Sequence, residues 1–75
     1  MKKIENERNY SIRSIWEMQL FPDATSIPTI RNRVLRDMEG ENILQTNIMY
    51  VGKNKLYMIK GINLKKYIKK NYARN

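Results

Sequence analysis

Apolar positions in this chain follow a helical period, then a strand-like one, then a helical one again. Ile12, Ile15, Trp16 and the run Met18 to Leu20 supply the buried side of a first helix. Ser11 is placed to cap it, and it is expected to run to about Phe21. Pro22 biases Phe21 away from helical geometry, so Phe21-Pro22-Asp23-Ala24-Thr25 reads as a turn. Ser26 then caps a second helix, with Pro28 in its first turn where the missing N–H costs nothing. Ile27, Ile30, Val34 and Met38 share one side of that helix, and Gly40 suits a left-handed cap after it. The period shortens at Asn47-Ile48-Met49-Tyr50-Val51 and Lys55-Leu56-Tyr57-Met58-Ile59, with Gly52-Lys53-Asn54 between them. Two such runs joined by three residues containing glycine predict a β-hairpin, with Ile48, Tyr50, Leu56 and Met58 on one face. Leu64, Tyr67 and Ile68 make the narrow stripe of a last helix, from about Asn63 to Asn71.

The chain is thus predicted to be α+β, with a helical pair, a hairpin and a closing helix. Residues 1–9 are polar and read as a flexible tail, 10–71 as the domain and 72–75 as a second tail. Seventy-five residues make one domain with a small core, so most apolar side chains, Trp16 included, are expected inside.

Composition narrows the chemistry. With no cysteine and no histidine, disulfides, zinc fingers and Ser-His or Cys-His catalysis are excluded. Carboxylates, lysines and tyrosines form no cluster, so no enzymatic activity and no metal or cofactor is expected. The net charge is +8, and every acid lies at or before Glu41. Beyond it Lys53, Lys55, Lys60, Lys65, Lys66, Lys69, Lys70 and Arg74 have no acid to offset them. Such a half seeks a polyanion or remains a solvated lysine-rich surface, and nucleic acid is the favoured partner. No apolar run reaches the length of a membrane span. Met-Lys-Lys-Ile is followed by Glu5, Asn6, Glu7 and Arg8 rather than an apolar stretch, so a cytoplasmic protein is expected.

Opposite its apolar side, the second helix carries Thr29, Asn32, Arg33 and Arg36. Arginine and asparagine read guanine and adenine edges bidentately in the major groove. Arg33 and Asn32 are the expected base contacts. Arg31 sits nearer the apolar side, its stem on the core and its head on a phosphate or on Glu17. Lys53 and Lys55 fall at the hairpin tip, where they would meet the adjacent minor groove or its phosphates, while Asn54 reads as a turn residue. Lys65, Lys66, Lys69 and Lys70 point away from the closing stripe and add long-range attraction or face solvent.

The order helix, turn, helix, hairpin, helix in a basic chain of this length resembles the small winged-helix excisionases of phages and conjugative transposons. These are distant relatives of the MerR-type DNA-binding domain. Ser26-Ile27-Pro28-Thr29-Ile30-Arg31 is similar to the Ser-x-x-Thr-hydrophobic start of that family's recognition helix. Asn47 to Ile59 is similar to its wing, and Leu64-Lys65-Lys66-Tyr67-Ile68 to its closing helix. The resemblance runs from Tyr10 to about Lys70. It implies a winged helix-turn-helix that binds double-stranded DNA, bends it and helps a separate integrase or recombinase excise a mobile element, without chemistry of its own. It also implies assembly of copies along DNA, repressor activity in some members, and integrase contact in the C-terminal part, here Lys65 to Asn75. Three other functions fit the same residues. One is a winged-helix transcriptional regulator. Another is a single-strand binder that stacks bases on Tyr50, Tyr57 and Trp16. The third is an inhibitor module whose basic face captures an acidic protein.

Overall fold

The computed structural model describes residues 3–72. Its elements, in order, are β1 (Asn9–Ser11), α1 (Ile12–Glu17), α2 (Ile27–Glu39), β2 (Asn47–Val51), β3 (Asn54–Lys60) and α3 (Gly61–Asn71). Three helices accompany one antiparallel sheet of order β1-β3-β2, so the domain is α+β. Ile15, Ile30, Val34, Leu44, Ile59 and Leu64 are fully buried where the helices meet the sheet. Burying such a side chain stabilises the fold by about 1.5–3 kcal/mol.

Both predicted serine caps form. Ser11 Oγ accepts the Ser14 N–H at 3.1 Å, and Ser26 Oγ accepts the Thr29 N–H at 3.4 Å. The first helix stops earlier than expected, at Glu17. Gln19 takes a left-handed φ of 52°. Its N–H then reaches Trp16 O, and the Leu20 N–H reaches Ile15 O, each at 3.1 Å. This crossed pair satisfies the last helical carbonyls and turns Leu20 inward, with glutamine where glycine is usual. After α2 the left-handed residues are Asn42 and Gln45, whereas Gly40 has φ −108° and is not the left-handed cap expected of it. Asp37, on the same side as Ile30 and Val34, is buried and accepts the N–H groups of Ile43 and Leu44 at 3.0 Å each. That carboxylate folds the α2–β2 connection back and carries Leu44 into the core.

The hairpin turn is shorter than predicted. Val51 pairs with Asn54, so Gly52 and Lys53 alone form the loop, and Asn54 begins β3. Gly52 has φ +62° and Lys53 does not share that sign, the pattern of a type II′ turn. One residue fewer in the loop exchanges the faces of one strand relative to the other. Ile48 therefore lies opposite Tyr57, and Tyr50 opposite Lys55, on the face that carries buried Ile59. Met49 lies opposite Leu56 on the other face, with Val51 and Met58. The predicted grouping of Ile48 and Tyr50 with Leu56 and Met58 does not occur.

Segment 4–8, read from the sequence as tail, is tied to the body. Ile4 packs on the core, and the Glu5 N–H donates to the Tyr10 hydroxyl at 2.8 Å. α3 starts at Gly61, two residues before the expected Asn63, and Lys60 offers it no side-chain cap. Instead the carbonyls of Arg8 and Asn6 accept the N–H groups of Gly61 and Ile62, at 2.8 and 3.1 Å. A Cβ at residue 61 would lie 1.8 Å from Glu5 O, so only glycine admits this approach. Tyr72, assigned above to the second tail, packs 5.8 Å from Phe21, ring centroid to ring centroid. The rest of that tail, with Arg74, lies outside the described residues. Trp16, expected in the core, is 38% exposed, and its indole N–H donates to Thr25 O at 3.1 Å. That bond braces the turn in front of Ser26. Among the described residues no helix is long and apolar enough to cross a membrane.

Candidate nucleic-acid interface

α2 buries Ile30, Val34 and Asp37 and leaves Pro28, Arg31, Asn32, Arg36 and Glu39 exposed. Thr29 stands at the helix entrance, its hydroxyl 2.8 Å from Ser26 Oγ, where it belongs to the cap. Asn32 and Arg36 occupy the open face, as expected. Arg31 joins them there: it is exposed and forms no ion pair with Glu17, which is held by Arg13 at 3.7 Å.

Arg33 departs most from its expected role. It grips Asp23 with two nitrogens, at 3.2 and 2.8 Å, and donates to the Tyr72 hydroxyl at 2.8 Å. The guanidinium thus clamps the α1–α2 turn to the end of α3 and faces away from the open side of α2. The hydrogen bond from Arg33 holds the Asp23 carboxyl below its ordinary range, with a further contribution from Tyr72. The hydrogen bond to Asp23 in turn raises the already high basicity of Arg33. Burial first, and hydrogen bonding to Asp23 second, push the Tyr72 hydroxyl up to about 12.

The charge pattern separates two kinds of surface. Glu5, Glu17, Asp23, Glu7 and Glu41 pair with Arg8, Arg13, Arg33, Lys60 and Lys70 respectively. Asp37 is occupied by backbone N–H groups. Arg31 and Arg36 on α2, and Lys53 and Lys55 at the hairpin tip, form no ion pair among the described residues. Lys65, Lys66 and Lys69 on the outside of α3 are likewise without a carboxylate, whereas Lys70 is neutralised by Glu41. Acids therefore pair with cations around the body, and of the three positive regions only the α2 face carries an acid of its own, the exposed and unpaired Glu39.

Sequence reasoning missed the clamp because its partners, Asp23 and Tyr72, lie 10 and 39 positions from Arg33. Arg31 and Arg33 both flank the apolar stripe, and the helical period cannot say which side a neighbouring element covers. No protein-family model matches this chain, and neither the curated proteins nor the solved structures contain a match to it.

Proposed function

We propose that this chain is a winged-helix protein that binds double-stranded DNA, with α2 in the major groove and the β2–β3 hairpin as the wing. The observation that carries this reading is the set of cations without ion pairs on the open face of α2 and at the hairpin tip. Among the described residues Glu39 is the one unpaired acid there; five of the other six acids are held in ion pairs and Asp37 by backbone N–H groups. The order of α1, α2, hairpin and α3 supports the winged-helix assignment. Arg36 and Asn32 read base edges, each good bidentate contact being worth about 1–3 kcal/mol of discrimination. Arg31 holds a flanking phosphate and fixes register without reading sequence. Arg33 positions α2 through Asp23 and Tyr72 and touches no base. Lys53 and Lys55 meet the adjacent minor groove, and Lys65, Lys66 and Lys69 add attraction at a distance.

On the resemblance of its helix, wing and closing stripe to the excisionases, we place the protein with architectural factors that assist an integrase of a mobile element. The test is a salt series of binding to random duplex and to DNA from the protein's own genetic neighbourhood. The expected result is a ladder-like footprint beside an integrase gene or attachment site, weakened by Arg36→Ala and far less by Arg33→Ala. A single footprint at a promoter would make the protein a transcriptional regulator with the same interface. Preference for single strands, or no duplex binding even at low salt, would overturn the helix-in-groove assignment.

A further inference from the structure

The outer hairpin exposes apolar side chains that no other element among the described residues covers. β1 pairs with β3 only from Met58 to Lys60, so the rungs from Ile48–Tyr57 to Val51–Asn54 stand as a two-stranded ribbon. Every residue of β2 is exposed. On one face of the ribbon Met49 is 51%, Val51 55% and Leu56 41% exposed, and on the other Tyr50 is 68% exposed beside Lys55. Singly exposed apolar residues are ordinary on protein surfaces, but a contiguous group marks a contact. Two strands joined by a two-residue turn are marginal in water by themselves, so the ribbon gains order from whatever it meets.

Its charge selects the occupant. Lys53 and Lys55 frame the apolar tip, and no acid follows Glu41 in the sequence. A second copy of a +8 chain would bring like charges together at this tip, whereas a polyanion would neutralise them. A two-stranded ribbon is broader than a resting minor groove about 6 Å wide, so its tip can enter only where the duplex opens that groove by bending. Apolar side chains carried into that groove can enter between base pairs, unstack a step and kink the duplex.

We propose that the hairpin tip is a DNA wedge: Val51 and Leu56, backed by Met49, enter a base step from the minor groove while Lys53 and Lys55 hold the flanking phosphates. This rests on the duplex-binding assignment and adds to it a specific cause of bending. Flexible pyrimidine–purine steps are the expected points of entry, because they unstack at least cost. The contact selects deformable DNA without reading a base edge.

The experiment uses the full chain and a duplex carrying 2-aminopurine at a TA step, with donor and acceptor dyes at the duplex ends. Binding, 2-aminopurine fluorescence and end-to-end transfer are followed together. The wild type should raise the fluorescence and shorten the duplex at saturation. The variant Val51→Ser/Leu56→Ser should still bind at low salt, with both signals returned to those of free duplex. Lys53→Ala should bind more weakly yet reach the full signals when saturated. Circular dichroism melts establish that each variant is folded. Val51→Ser and Leu56→Ser made singly keep the test open if the double variant is not. Tight binding by the wild type with no fluorescence rise, or equal signals from the serine variant, would overturn the wedge and leave DNA binding intact. Absence of duplex binding at low salt would overturn both. Dimerisation of the free wild type that the serine variant abolishes would assign the patch to a second copy instead.

Discussion

Helix α2 and strand β2 are both rich in large apolar side chains, but they meet different surroundings. Ile30 and Val34 of α2 are fully enclosed, while Ile48, Met49, Tyr50 and Val51 of β2 all face solvent. α2 is capped by Ser26, tied by Arg33 to two other parts of the chain and anchored beyond its end by Asp37. Outside its ladder with β3, β2 has no covering element among the described residues. The body is therefore a frame that fixes where the α2 surface points, and the ribbon is a surface whose apolar groups face solvent. Substitutions in the first should change stability, and substitutions in the second should change binding.

The strongest test of that division is a cavity in the frame. Ile30→Ala should cost about 3 kcal/mol, read as a lower urea midpoint, because a fully enclosed side chain leaves a void that only partly collapses. Met49→Ser in the ribbon should stay within about 0.5 kcal/mol, the usual range for exposed positions. Comparable losses from the two would break the contrast. Next in size is Asp37→Ala, expected to cost about 2 kcal/mol, since two N–H groups beside the core lose a charged acceptor. Its checkable signature is faster amide exchange at Ile43 and Leu44.

A smaller effect separates two arginines of the same helix. Arg33→Ala should lower the melting temperature and leave duplex affinity nearly unchanged at temperatures where the protein is folded. Arg36→Ala should do the reverse. Loss of specific affinity from Arg33→Ala without a stability change would return Arg33 to the reading face. The clamp also has pH limits at both ends. Asp23 titrates lower in the folded chain, so its contribution is present above the ordinary carboxylate range and is lost as pH falls through the depressed value. Tyr72 titrates near 12 rather than 10.0. The folded state thus retains a proton that the unfolded chain loses, and stability declines as pH rises above the ordinary tyrosine value. Burial raises Tyr67 as well, so absorbance titration should show more than one late-ionising tyrosine in the wild type, and Tyr72→Phe should lower their number by one.

The smallest expected change is a gain. Gln19→Gly should stabilise the frame by about 0.5–1 kcal/mol, because glycine enters the left-handed region without the steric cost glutamine bears. A denaturant melt that shows no gain would mean that the glutamine side chain contributes as much as its backbone conformation costs.

Local interactions made part of this molecule legible in advance. Ser11 and Ser26 cap helices by bonding to N–H groups three residues away, and the stripes Ile30–Val34 and Leu64–Tyr67 repeat at the helical period. The hairpin was visible in its β-branched and aromatic runs, but its faces were not. Pairing Val51 with Asn54 rather than with Lys55 turns on one residue of loop, and the side-chain period of two converts that difference into opposite faces. β1 carries only Asn-Tyr-Ser, too short for any period to register.

By itself, then, the sequence determined where α1 and α2 begin, which side of α2 and α3 is apolar, and that the chain after Glu41 carries no acid of its own. Only the tertiary structure decided that Arg33 is a clamp and Arg31 is open, that segment 4–8 caps α3, and that the ribbon tip stays uncovered. The reason is physical. Caps and stripes depend on residues within a turn or two of one another, whereas the fate of a side chain at the edge of a stripe depends on which distant element lies beside it.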